Sequence, residues 1–253
     1  MTSLWFIVPA HGRFALSAIC LRQLRRTCDA LADLGIEASA VVIADDLNLE
    51  VAETLGFGTV KRDNQFLSRK FNDGIQLACD PEFNPRPVDY VVPCGSDDWV
   101  HPDLFQELPP TDTIIGFQQL SFIPPTGHEL SFVRVDYPGG CGIRIYPRQV
   151  MAKLGYRPAD EDRYRACDTS TLVNIQRAYD EANAPLSVLH PWNDPRHIVD
   201  WKSAEEQLTP YEGIVRRYSS ITKPDPFKVL SKVFPAEAIS AMQGHYSSHL
   251  VAA

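Results

Sequence analysis

"VDYVVPCGSDDWVHPD", residues 88–103, decides the fold. An apolar run ends in two adjacent carboxylates, Asp97 and Asp98. Like charges at that spacing repel each other, so a buried strand ending in both has something positive to place there. Two upstream runs share this build. "LWFIVPA" (4–10) is nearly all apolar, the mark of a strand covered on both faces, and "ASAVVIADD" (38–46) ends in Asp45 and Asp46. Between them, "ALSAICLRQLRRTCDALADLG" (15–35) sets Leu16, Ile19, Cys20, Leu24, Leu31 and Leu34 at helical spacing and stops at Gly35. "NQFLSRKFNDGIQLACD" (64–80) puts Leu67, Phe71, Ile75 and Ala78 on one helical face. The β-α-β-α-β order predicts a parallel sheet with right-handed crossovers, and such sheets bind ligands at the carboxyl ends of their strands. His11, Asp45, Asp46, Asp97 and Asp98 all fall at those ends.

The second half changes character. "TIIGFQQLSFI" (113–123) and "ELSFVRVDYP" (129–138) read as two strands of an antiparallel hairpin across the turn "PPTGH". "GGCGIRIYP" (139–147) is a glycine-rich approach to a short helix, and "DTSTLVNIQRAYDEA" (168–182) is a longer one. "LSVLHPW" (186–192) reads as the last strand. From about residue 201 the pattern weakens, until Phe227, Leu230 and Phe234 mark an amphipathic helix over 225–242.

Composition narrows the class. The chain has 253 residues, enough for one large α/β domain or one domain with an extension. A net charge of −8 argues against a non-specific nucleic-acid binder held by a basic surface. No apolar stretch approaches a membrane span, and residues 1–20 lack the charged start and cleavage site of a signal peptide. The six cysteines form no C-x-x-C pair, so they read as reduced thiols of a cytoplasmic protein.

Three chemistries suit Asp97-Asp98: a turn or helix cap, a divalent cation site, or a general acid/base pair. A second strand-end Asp pair at 45–46 favours a nucleoside diphosphate, with one pair on base or ribose and the other on the metal that neutralises the phosphates. Four segments then follow a familiar order across residues 4–105. "WFIVPAHGRF", "VVIADDLN", "NQFLSRKFNDGIQLA" and "VDYVVPCGSDDWVHPDLF" resemble the nucleotide-sugar glycosyltransferases of the A-type fold, especially the large family 2 group. More faintly, "GGCGIRIYPRQVMAKLGYRP" is similar to that group's sugar-pocket segment. "RACDTSTLVNIQRA" falls where inverting members carry their catalytic acid before a helix. One departure matters: Gly95 and Ser96 stand before the pair, so the first carboxylate of the usual Asp-x-Asp-Asp is missing.

The resemblance implies an α/β chain of the A-type glycosyltransferase fold, with a Rossmann-like, mostly parallel central sheet flanked by helices and a smaller antiparallel element in the second half. Residues 1–200 form the catalytic domain, with 1–105 the nucleotide-binding half and 106–200 the acceptor half; 201–253 is a partly helical extension. The implied reaction moves a sugar from a UDP-sugar to an acceptor hydroxyl with Mn²⁺ or Mg²⁺ and inversion of configuration. Donor contacts fall to Pro9, His11, Arg13, Asp45, Asp46, Arg69, Asp97 and Gly140, metal ligation to Asp97 and Asp98, and base catalysis to Asp168. Asp168 also suits a helix N-cap. Asn72 reads as an anchor for the strand-end loops and Trp99 and Trp192 as core; a metal shell completed by His190 or His197 is the lesser alternative for those histidines. The acceptor stays open among a soluble glycan, a protein and a modified nucleobase in DNA, with no integral membrane association. The alternatives are a sugar nucleotidyltransferase, for which "PAHGRFA" is a poor phosphate loop, and a non-catalytic nucleotide-sugar binder.

Overall fold

A computed structural model describes residues 1–45, 47–64, 66–164, 167–202, 221–222 and 225–250. β1 (Thr2–Pro9), α1 (Phe14–Asp33), β2 (Ile36–Ala44), α2 (Asn48–Thr54), β3 (Gly58–Lys61), α3 (Leu67–Cys79) and β4 (Tyr90–Pro93) build the first half. Then come β5 (Asp98–Val100), β6 (Thr113–Gly116), β7 (Gln119–Ile123), β8 (Phe132–Asp136) and β9 (Arg144–Pro147). α4 (Arg148–Ala152), α5 (Cys167–Glu181), β10 (Ser187–Leu189), β11 (Ile198–Trp201), β12 (Ile221–Thr222), α6 (Pro226–Leu230) and α7 (Ala236–Leu250) complete the order.

The expected mostly parallel central sheet is present. Its seven strands run β10-β6-β9-β4-β1-β2-β3, and only β9 opposes its neighbours. Residues of alternating parity feed its two faces, as the pleat requires. Leu4, Phe6 and Val8 of β1 meet Leu21, Leu24 and Leu31 of α1 on one face, while Ile7, Val41 and Ile43 meet Ile75 and Ala78 of α3 on the other. Each buried side chain of this size contributes roughly 1.5–3 kcal/mol. Gly74 makes the α3 packing close: a Cβ there would lie 2.5 Å from Ile7 and 2.7 Å from Ile43.

The smaller antiparallel element is a five-stranded sheet, β12-β8-β7-β11-β5, with one parallel pair between β7 and β11. The hairpin expected across 124–131 is the β7–β8 pair. Several readings need correction. The strand read over 88–98 stops at Pro93, and Asp98 opens β5 in the second sheet. The strand read over 113–123 is two strands, one in each sheet, so the chain switches sheets at residues 117–118. β10 is not the last strand, since β11 and β12 follow it. Pro235 divides the helix read over 225–242 into α6 and α7, since proline cannot continue the ladder of the helix before it. Trp99 is fully buried, but Trp192 is 65% exposed.

The C-terminal helices belong to the second sheet's packing. Phe227, Leu230, Phe234 and Met242 join Trp99, Trp201 and Ile123 in one apolar cluster, with Leu16 and Cys20 of α1 at its edge. That places β5 and β11 between the central sheet and a helical cover. All six cysteines are free and buried. Among the described residues no helix is long and apolar enough to cross a membrane.

Candidate functional site

A cavity of about 390 Å³ opens where β1 and β4 of the central sheet end against the second sheet. That is the size of small-ligand sites. Its floor is the loop from Pro93 to Asp98; its walls come from α1's start, the glycine loop 140–142, α5 and the end of β11. Of the residues singled out from the sequence, Pro9, Arg13, Asp97, Asp98, Gly140 and Asp168 line it. His11, Asp45 and Arg69 do not. His11 Nδ1 and Asp45 Oδ1 sit 3.2 Å apart on an exposed rim. Arg69 pairs with Asp162 at 3.0 Å and Glu161 at 3.8 Å, and stacks over Phe66. Asp46 lies outside the described residues.

Antiparallel pairing brings a third carboxylate to the first two. Asp98 and Asp200 are register partners on β5 and β11, and the backbone N–H of Trp201 donates to the Asp97 carbonyl at 2.9 Å. Ligand oxygens of Asp97, Asp98 and Asp200 all lie within 4.8 Å of one another. Two cations answer them. Arg13, in the left-handed region at φ 48°, donates to Asp97 and to Ser96 Oγ; Lys202 Nζ donates to Asp200 Oδ2 at 2.7 Å. Asp98 Oδ2 accepts the Gly95 N–H at 2.6 Å. Among the described residues, Asp200 Oδ1 is buried with no hydrogen-bond partner. An orphaned buried carboxylate oxygen is costly unless something not made of protein completes it.

The electrostatics carry the same strain. Burial first, then the charges of Asp200 and Asp97, hold the Asp98 carboxyl well above the ordinary range. Burial pushes Asp200 up to about 6 against the pull of Lys202. Lys202 itself is raised: burial opposes its charge, but Asp200 and Asp97 outweigh that. A divalent cation would favour the ionised form of every carboxylate here, and hard cations take oxygen ligands of this kind. The residues therefore fit Mg²⁺ or Mn²⁺.

Gly95 explains the missing carboxylate. A Cβ at that position would stand 2.7 Å from Asp97 Oδ1 and 2.8 Å from Asp98 Oδ2, so the pair folds back over the space a side chain would fill. Asp200, from a different strand, brings the count back to three.

Across the cavity, Asp168 lies in the first turn of α5. The helix begins at Cys167, so Asp168 is inside the turn and is not the capping residue. Arg144, almost fully buried on β9, donates to Asp168 Oδ2 at 3.4 Å and to the Gly140 carbonyl at 3.1 Å. It ties the acid to the glycine loop. Gly140 sits at φ +80°, where a Cβ would meet Gly116 at 3.0 Å and His190 at 3.1 Å, so only glycine fits.

Other residues have structural work. Asn72 brackets Ala159 with two hydrogen bonds, of 2.8 and 3.0 Å, as an anchor should. Lys70 is buried and donates to the Ala10 carbonyl at 2.8 Å, holding the end of β1. His197 stacks on His101 at 4.6 Å, with Asp103 beside them, at the far end of the β5–β11 ladder from Asp200. Among the described residues, the late-chain residue that joins the carboxylates is thus an aspartate and not a histidine.

Asp200, Lys202 and Arg144 escaped the sequence reading. The available signal was "HIVDWK" (197–202), where a carboxylate sits among Ile198, Val199 and Trp201; a charge inside so apolar a run marks a buried, partnered group. Arg144 in "GIRIYP" carries the same signal.

No protein-family description matches the chain, and no curated protein sequence matches it. Solved structures do. One is the glucosyl-3-phosphoglycerate synthase of Mycobacterium tuberculosis bound to phosphoglyceric acid, at TM-score 0.49 and 11% identity over 86% of this chain and 80% of that one. A Drosophila β1,4-galactosyltransferase 7 variant, in complex with manganese, UDP-Gal and xylobiose, gives a TM-score of 0.42 and 15% identity over 74% of this chain. This chain spans 65% of that enzyme's length. A glycosyltransferase involved in glycosylating the major capsid of PBCV-1 gives 0.40 and 12%, over 79% of this chain and 92% of that one. At these scores no residue role is carried across; the site rests on its own geometry.

Proposed function

We propose that the chain is a glycosyltransferase that moves a sugar from a nucleoside diphosphate sugar, a UDP-sugar first, to an acceptor hydroxyl. One observation carries this reading: three carboxylates, from β5, the turn before it and β11, converge in a ligand-sized cavity at the ends of a parallel sheet, and among the described residues one buried oxygen of Asp200 lacks a partner. Asp97, Asp98 and Asp200 would hold a divalent cation, Mn²⁺ or Mg²⁺. A cation there supplies electrostatic stabilisation to the departing diphosphate. Arg13 fixes Asp97 and adds positive charge on the phosphate side. His11 and Asp45, on the rim, suit the base or ribose. Gly140 leaves room beside the sugar.

Asp168 takes the proton from the attacking hydroxyl. Arg144 orients its carboxylate, and the first turn of α5 favours its charge. A base that acts opposite the leaving group gives inversion, so an α-linked donor yields a β-glycoside. Residues 1–200 would then serve as the catalytic unit, with residues 226–246 as its packed support and not as a separate module.

The experiment is a panel of UDP- and GDP-sugars with Mn²⁺, followed for free nucleotide. Slow release of UDP supports the reading. Formation of a nucleotide sugar from sugar phosphate and a nucleoside triphosphate, with no nucleotide release from UDP-sugars, would replace it with nucleotidyl transfer. Binding of UDP-sugar without turnover against any acceptor in a glycan, protein and modified-DNA screen read by mass spectrometry would leave a binding protein.

A further inference from the structure

Lys202 and Arg13 both neutralise the carboxylate cluster, but they are held differently. The Arg13 guanidinium is pinned on two acceptors, Asp97 and Ser96. The Lys202 ammonium bonds to Asp200 at 2.7 Å, lies 5.0 Å over the Phe122 ring and faces the cavity. Its backbone is fixed, since Lys202 N–H donates to the Ile123 carbonyl at 3.0 Å. Only the flexible four-carbon stem is left to move, and a lysine head is a compact point charge with rotatable donors. Asp200 meanwhile offers one oxygen to Lys202 and keeps the other, Oδ1, without a partner inside a cluster of three carboxylates.

We propose that Lys202 is a placeholder cation. In the empty protein it neutralises Asp200; when a divalent cation takes Asp200, the ammonium swings to the diphosphate of the donor. The inference rests on the proposed function and adds a residue to it. Charge makes the exchange reasonable. A divalent ion arriving beside an ammonium at hydrogen-bond distance from the same carboxylate is repelled by it. The diphosphate arrives with the negative charge that a displaced ammonium lacks. Lys202 thus opposes metal binding in the empty site and assists diphosphate binding in the loaded one.

Removing its charge must therefore move two affinities in opposite directions, which neither a structural lysine nor a plain phosphate ligand would do. The test is calorimetry on the full chain: Mn²⁺ alone, then UDP, then uridine, the last two at saturating Mn²⁺. Lys202→Met removes the charge; Lys202→Gln removes it while its amide still donates to Asp200, which preserves the fold if methionine does not. The expected result is Mn²⁺ binding about tenfold tighter and UDP binding about tenfold weaker, with uridine changed less than about twofold. Unchanged or weaker Mn²⁺ affinity, or unchanged UDP affinity, in a folded variant overturns the exchange alone. A wild-type chain that binds neither Mn²⁺ nor UDP overturns the proposed function, and the exchange with it.

Discussion

Asp98 and Asp200 are register partners across the β5–β11 ladder, so two carboxylates face each other on one side of an antiparallel pair. Like charges placed directly opposite are destabilising, and here Asp97 adds a third within 4.8 Å. That cost is what the proposed divalent cation would offset.

The first prediction is a thermal one. A cation bound at 100 times its Kd adds about 2.7 kcal/mol. For a chain of this size that is a rise of roughly 5–10 °C in Tm. Wild type should show it with excess Mn²⁺, and Asp200→Asn should shift by less than about 1 °C. Differential scanning fluorimetry checks this; an equal shift in both would remove Asp200 from the metal site.

A second prediction follows from Asp200's carboxyl, pushed up to about 6. The folded chain holds this proton more tightly than the unfolded chain, whose aspartates titrate near 3.9. Its contribution to stability is therefore fully present below about pH 4 and lost as pH rises to about 6. The loss amounts to about 3 kcal/mol. Without metal, wild type should lose stability relative to Asp200→Asn over that window; excess Mn²⁺, which binds the ionised carboxylate, should reverse the sign of that difference in slope. Parallel denaturation midpoints from pH 4 to 7 would contradict it.

Gly95 supports a third. Gly95→Asp restores the familiar Asp-x-Asp-Asp pattern in sequence, yet its Cβ would collide with both neighbouring carboxylates at 2.7 and 2.8 Å. Metal affinity should fall by about tenfold or more, the scale of a displaced metal-site group. Calorimetry showing tighter Mn²⁺ binding would mean that the loop opens to accept the added ligand.

What the sequence made legible, and what it hid, follows from distance along the chain. The β1-α1-β2 order and the α3 face are local patterns, and each reports directly on its own burial. The Asp97-Asp98 pair was visible because both residues end an apolar run. Asp200 was not, because nothing local says that β11 returns antiparallel to β5 across the chain between Val100 and Ile198 and lands in register. The switch between sheets at residues 117–118 was hidden for a related reason: "TIIGFQQLSFI" carries a single Gly116 and no Pro at the break, and its division is set by which sheet each half can pair with. Asp168 stands out by its place before a helical pattern, while Arg144, which donates to it, looks like one more residue of a strand.

The fourth prediction concerns Asp168. Asp168→Asn should keep UDP affinity and lose transfer by about two to four orders of magnitude, the scale of general-base catalysis. Stability should change little, because Asp168 is not the helix cap and the ion pair with Arg144 leaves it 39% exposed. Near-normal transfer by this variant, or an α-linked product from an α-linked donor seen by NMR, would take Asp168 out of the chemistry.

The most direct measurement is calorimetric titration of UDP into the wild-type chain and into Asp200→Asn, each with Mn²⁺ and with EDTA. Strong binding is expected only for wild type with Mn²⁺, and at least about tenfold weaker binding in the other three cases. UDP binding of equal strength in EDTA, or unchanged Mn²⁺-dependent binding without the Asp200 carboxylate, would contradict a cation held between β5 and β11.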